Sequence, residues 1–181
     1  MKTLERTNIL HETFAAVAYL LLLILVICCI KTLFFQIAIV KGDSMTDTLR
    51  DGEVLFVDVR ALFRHTDCFD YQDIVIVRYP GRKEQFVKRI VGKPGDKIQI
   101  ADGVLYRNDT PVHEPYIKEE MYMNYGPYIV GDGEYFVMGD NRNNSNDSRN
   151  VGAIPMKSII GKAYLRVFPF HRFRLFIGKQ I

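Results

Sequence analysis

One serine, one lysine and one dense polar loop are the stretches of this chain whose residue types could do chemistry together. The serine is Ser44, in Gly42-Asp43-Ser44-Met45. The lysine is Lys88, which opens Lys88-Arg89-Ile90-Val91-Gly92-Lys93-Pro94-Gly95-Asp96, and the loop is Gly139-Asp140-Asn141-Arg142-Asn143-Asn144-Ser145-Asn146-Asp147-Ser148-Arg149. A hydroxyl is a weak nucleophile and needs a base within hydrogen-bond reach. Histidine is the usual base, but His11, His65, His113 and His171 are scattered and none has a catalytic setting. Lys88 is the best remaining candidate. Alternate side chains of a strand share a face, so Phe86, Lys88 and Ile90 point one way and Val87, Arg89 and Val91 the other. Apolar neighbours disfavour the ammonium form. To be substantially neutral near pH 7 to 8, the amine must fall about 2 to 3 units from about 10.4, equivalent to roughly 3 to 4 kcal/mol of desolvation. The competing reading is a lysine that carries its ammonium from a half-buried strand out to water. Arg89 cannot serve as the base, because a guanidinium keeps its proton. Gly42 permits backbone conformations and close approaches closed to other residues, just ahead of the serine.

The loop from residue 139 to 149 contains no large apolar side chain, so it is not a core strand. It is either a solvated loop or a network of hydrogen-bonding side chains that props up a neighbour. In order and in wording, these three stretches resemble the signature boxes of type I signal peptidases, over most of the chain from about residue 14 to 166. The resemblance implies a Ser-Lys dyad of Ser44 and Lys88, with Met45 beside the nucleophile. Ser145 would then orient Lys88, Asp147 and Arg149 would pair and brace the site, and Gly139, Asp140 and Asn141 would be structural members of the same box. The family's serine box usually reads Ser-Met-x-Pro-Thr-Leu. Here it is Ser44-Met45-Thr46-Asp47-Thr48-Leu49, with an Asp side-chain turn available in place of the proline. Some members carry a serine where this chain has Gly42, so the oxyanion would depend mainly on backbone amides, foremost Ser44 N–H.

Two kinds of element must position these groups. Residues 14–30 are an unbroken apolar run without charge, about 26 Å long as a helix, and Leu33-Phe34-Phe35 extends it toward the hydrocarbon thickness of a bilayer. With no small-x-small cleavage site at its end, it reads as a retained transmembrane anchor rather than a secretory signal. The expected organisation is a short cytoplasmic N-terminus at 1–13, an anchor at 14–35 and a catalytic domain at 36–181. Lys2 and Arg6 on one flank match Lys31 and Lys41 on the other, so charge barely decides the orientation. Beyond the anchor the hydrophobic period becomes two. Strands are expected at 53–59, 73–79, 86–91, 97–100, 104–107, 134–138 and 159–167, with Asp102-Gly103 as a hairpin turn. The fold class is mainly β: one transmembrane helix followed by an all-β domain of folded antiparallel sheets. Residues 110–132, rich in proline and tyrosine, read as an irregular excursion, a small subdomain or a flap.

Beyond residue 40 the chain carries 21 Lys and Arg against 19 Asp and Glu, interspersed, which argues against a nucleic-acid binder. Cys28 and Cys29 lie in the apolar run and Cys68 stands alone, so neither a disulfide framework nor a metal site is indicated. His171-Arg172-Phe173-Arg174-Leu175-Phe176 is a solvated final strand or a contact for an anionic membrane surface. The resemblance implies a serine endopeptidase that needs no metal or cofactor and cuts signal-peptide-bearing preproteins after small residues at the first and third positions before the scissile bond. It implies work at the outer face of the cell membrane, in contact with lipid and near the secretion translocase. Self-cleaving repressors with a similar Ser-Lys domain would carry a helix-turn-helix where this chain has its apolar run. A membrane-anchored, catalytically inactive assembly factor is the other alternative.

Overall fold

The computed structural model describes residues 2–46, 48–60 and 69–176; Asp47, His65 and Cys68 lie outside the described residues. The chain divides into two compact units, Met1–Phe35 and Gln36–Ile181.

The first unit is a single helix, α1 (Lys2–Phe34). Its stretch His11–Cys29 has a mean hydropathy of 2.5 and is exposed throughout, apolar on every side rather than along one stripe, as a bilayer-spanning helix requires. The helix starts well before residue 14, because residues 2–13 contain neither Gly nor Pro to interrupt it. It stops at Phe34, and Phe35, expected within the anchor, already belongs to a strand.

Among the described residues twelve strands follow the helix, the first of them starting at the boundary of the two units: β1 (Phe35–Ile39), β2 (Val54–Asp58), β3 (Ile74–Arg78), β4 (Gln85–Gly92), β5 (Lys97–Ala101), β6 (Val104–Arg107), β7 (Thr110–Pro111), β8 (Tyr125–Ile129), β9 (Glu134–Met138), β10 (Ile154–Pro155), β11 (Ile159–Phe168) and β12 (Arg174–Leu175). Eight form one sheet in the order β1-β2-β11-β3-β4-β9-β10, with β12 on β11, and β7-β6-β5-β8 form a second. β4 runs antiparallel between β3 and β9.

Both faces of β3 are covered. Ile74 and Ile76 join a core with Met45, Leu49, Leu55 and Val57, while Val75 and Val77 join another with Ile90, Tyr135 and Val137. A central strand of this kind leaves its neighbour little access to water on either side, and β4 is buried from Lys88 to Gly92. A third core, with Ile98, Ile100, Leu105, Phe136 and Met138, includes residues of both sheets. The stretch 110–132 is less irregular than its composition suggests. It supplies β7 and β8 to the second sheet, and Tyr125 and Tyr128 pack on Phe136 with ring centroids 5.5 and 5.6 Å away. Pro127 fits within β8 because β8 is an edge strand, where a missing N–H is tolerated.

Candidate active site

Lys88 is only 1% exposed. It lies on the face of β4 that carries Ile90, opposite Val75 of β3. Its Nζ lies 2.7 Å from Ser44 Oγ and 3.2 Å from Ser145 Oγ. These two hydroxyls are the hydrogen-bond partners of the amine among the described residues. Burial lowers its pKa from the ordinary 10.5 to about 8; the negative charges of Asp147 and Asp140 oppose that shift, and Arg149 adds to it. A buried amine matched only with hydroxyls gives up its proton far more readily than one matched with a carboxylate.

Ser44 follows β1 in a tight turn. Gly42 adopts φ +79°, the left-handed region, and its N–H donates to Asp51 Oδ1 at 2.7 Å. Open space surrounds the position where a Gly42 Cβ would stand, so backbone conformation and not crowding favours glycine there. Met45, 1% exposed, anchors the turn in the core, and Leu49 N–H donates to its carbonyl at 2.8 Å. From the polar loop, Asn141 N–H donates to Ser44 O at 3.0 Å, and Asn141 Nδ2 to Asp43 O at 3.1 Å. Gly139 is required for space: a Cβ there would run into both the Ser145 side chain and the Ser44 carbonyl.

The loop is a network and not a solvated turn. Asp147, fully buried, accepts from Gly139 N–H at 3.0 Å and from Arg149 Nε and Nη2, both at 2.9 Å. Burial by itself would raise the Asp147 pKa. The hydrogen bonds and charge of Arg149, helped by Gly139 N–H and the Ser145 hydroxyl, bring it below the usual carboxylate value. Asp147 also caps the short helix α2 (Ser148–Val151) through Arg149 N–H. Arg149 reaches on to the Arg142 carbonyl at 2.6 Å.

Two buried ion pairs had no counterpart in the reading of the sequence. Arg89 meets Asp140 in a bidentate pair, Nε–Oδ1 2.7 Å and Nη2–Oδ2 2.6 Å, with both side chains fully buried. Arg142 meets Glu114 the same way, both contacts at 2.6 Å, and its Nε donates to Gly139 O at 3.0 Å. Tyr116 lies beneath the Arg89 guanidinium, 3.9 Å from ring centroid to Cζ, and donates its phenol to Glu114 at 2.6 Å. Fork-shaped pairing of this kind fixes orientation as well as charge. The stretch 110–132 thus takes part in the site, since it supplies Glu114 and Tyr116 to the loop that holds Ser145. Among the described residues, no group of His, Cys, Asp and Glu has the arrangement of a metal site.

A family model described as signal peptidase, peptidase S26, matches residues 12–168. Signal peptidase I of Bacillus licheniformis is 37% identical to this chain, over 94% of this chain and 96% of its own length. Signal peptidase I T of Bacillus subtilis strain 168 is 38% identical, over 94% of this chain and 91% of its own. A solved signal peptidase I from Enterococcus faecalis V583 is 27% identical, covers 53% of this chain and 97% of that one, and superposes with a TM-score of 0.48.

Proposed function

Since this chain belongs to the signal peptidase family, peptidase S26, we propose that Ser44 is its nucleophile and Lys88 its general base. The protein is a serine endopeptidase of the type I signal peptidase kind and acts on signal-peptide-bearing preproteins. The observation that carries the assignment of residues is the 2.7 Å contact between Lys88 Nζ and Ser44 Oγ, made by an amine shut away from water.

With the amine neutral, its lone pair accepts the Ser44 proton while an N–H donates to Ser145 Oγ. Ser44 Oγ then bonds to the scissile carbonyl carbon, and Ser44 N–H faces the negative charge that develops on the carbonyl oxygen. Lys88 returns the proton to the leaving amine, the C–N bond breaks, and an acyl ester remains on Ser44. The same amine takes a proton from water as the oxygen bonds to the ester carbon, the bond from that carbon to Ser44 Oγ breaks, Lys88 returns the proton to Ser44 Oγ, and the signal peptide leaves with a new carboxyl group. Ser145 fixes the direction of the amine, while Asp147 and Arg149 hold Ser145.

Among the described residues β1 ends its sheet, so its outer edge can take an added strand. Beside it runs a groove of about 400 Å³ lined by Ile37, Ala38, Ile39, Ile76 and Val87, with Lys41, Glu84 and Gln85 completing its lining. In an extended substrate the first and third residues before the scissile bond share a face, and small side chains at both would turn into this groove. The apolar helix fits a membrane anchor. The full reading is a cell-membrane protein with its N-terminus in the cytoplasm and its β domain outside, near the secretion translocase. Exposed Phe168, Phe170 and Phe173, beside His171, Arg172 and Arg174, suit contact with an anionic lipid surface.

The test is cleavage of a preprotein in detergent by the full chain, by Ser44→Ala and by Lys88→Arg. Processing by the wild type that both substitutions abolish is expected. Equal processing by all three overturns the dyad.

A further inference from the structure

A second pocket opens at Ser145, and neither the dyad nor the groove beside β1 accounts for it. It encloses about 220 Å³ and is lined by Tyr122, Met123, Tyr125, Asn143, Ser145 and Arg149, among others. It shares no residue with the groove beside β1. The groove is lined by Lys41, three residues before Ser44, and by Val87, next to Lys88 in sequence, whereas this pocket is lined by Ser145, whose Oγ is 3.2 Å from Lys88 Nζ.

The wall of the pocket is held in place. Met121 is buried in the third core, and Tyr125 packs on Phe136. Between these anchors Tyr122 N–H donates to Asn143 Oδ1 at 3.1 Å, and Asn143 Nδ2 donates to Glu120 O at 3.0 Å, which fastens the segment to the polar loop. Two large side chains are thereby kept in water: Tyr122 is 78% exposed and Met123 75%. Their exposure serves no core, and they stand at the rim of a recess. The charges of the lining are already matched, Arg142 with Glu114 and Arg149 with Asp147. The recess therefore offers the apolar and aromatic surface of Tyr122, Met123 and Tyr125 beside the neutral polar side chains of Asn124, Asn143, Ser145 and Asn150, with both charges of its lining already paired.

On the reading that the chain is a preprotein-cleaving Ser-Lys enzyme, the groove beside β1 takes the residues before the scissile bond. We propose that the pocket at Ser145 takes the first two residues after it, those of the released mature chain, and selects an apolar or aromatic side chain there. The occupant is a polypeptide because Ser145, which lines the pocket, is hydrogen-bonded to the amine of the dyad, and it is the leaving segment because, on that reading, the groove beside β1 holds the signal peptide. The enzyme thus reads both sides of the bond, with separate surfaces.

The experiment compares kcat/KM for preproteins that differ only at the first two positions after the scissile bond, carrying Ala-Ala or a single Leu, Phe or Asp. Substrates are paired within each preparation, so that the active fraction cancels. The wild type is expected to favour Leu or Phe over Ala by about tenfold at one of the two positions. The double substitution Tyr122→Ser with Met123→Ser is expected to bring that ratio within about twofold. A wild type indifferent to these positions overturns the proposal, as does a preference that survives the double substitution or a fall in rate equal for every substrate. If the wild type cleaves none of these preproteins, or cleavage survives Ser44→Ala, it is the underlying reading that fails.

Discussion

Lys88 and Arg89 are consecutive residues of one strand, both basic and both shut away from solvent, and the two faces of β4 treat them in opposite ways. On one face Arg89 meets a carboxylate in a two-pronged pair with Asp140 and rests on the Tyr116 ring. Burial pulls the Arg89 pKa down, but the hydrogen bonds and charge of Asp140 outweigh it, and the net shift is upward. On the other face Lys88 meets two hydroxyls, and burial prevails, bringing it to about 8. A buried base with a counter-ion is structure, and one without is a proton acceptor in waiting. The identity of the nearest acceptor decides which.

Making the two faces alike should have the largest effect. Lys88→Arg puts a group that never deprotonates beside Ser44, and single-turnover cleavage should fall by on the order of 10⁴-fold at every pH up to 10. Recovery of activity at high pH in this variant would mean that Lys88 is not the base. Stripping the counter-ion on the structural face comes next. Arg89→Met leaves Asp140 buried and alone, at a cost of about 3 to 5 kcal/mol in denaturant unfolding. Adding Asp140→Leu should return most of that loss, and a double variant as unstable as the single one contradicts the pairing.

A subtler measurement isolates the amine. Folded Lys88 titrates at about 8 against the ordinary 10.5 of the unfolded chain, so between those values the unfolded state binds more protons and stability rises with pH. Below about pH 8 the full penalty of burying the ammonium is present. Relative to Lys88→Met, the wild type should gain about 3 kcal/mol from pH 7 to pH 10.5. Tyr79 and Tyr116, whose phenols burial raises well above the ordinary 10 of the unfolded chain, add a pH dependence of their own that cancels in that difference. Equal pH dependence of the two proteins would place the ammonium in water. In the wild type the single-turnover rate should climb about 50-fold from pH 6 to pH 8 and level off above pH 9, following the neutral amine. Smallest of all, Ser145→Ala removes one of the two hydroxyls and should slow cleavage about tenfold with the same limiting slope against pH. An unchanged rate would make Ser145 a bystander.

Much of the β domain was legible because β-branched runs such as Ile74-Val75-Ile76-Val77 alternate between two cores and end at turn residues. β1 was not, since Phe35-Gln36-Ile37-Ala38-Ile39 follows α1 without a polar break. β8 was hidden by Gly126-Pro127, which only an edge strand accommodates. Within the site, the dense loop announced a network, and the strand period separated Lys88 from Arg89. The partners of Arg89 and Arg142 left a fainter trace: an arginine among apolar strand residues demands an acid, but nothing in the spacing says that it is Asp140, 51 residues on, or that Glu114 lies in the proline-rich stretch. Burial creates these pairings, and burial is a property of the whole fold.

Lys88 is bonded to one hydroxyl 44 residues before it and another 57 residues after it. A hydrolase assembled this way comes with an interlock. A nascent chain that has emerged only as far as β4 carries Ser44 and Lys88, the proposed nucleophile and base, but the enclosure that lowers the pKa of the amine is still missing. With that dyad, proteolytic competence arrives only with tertiary closure.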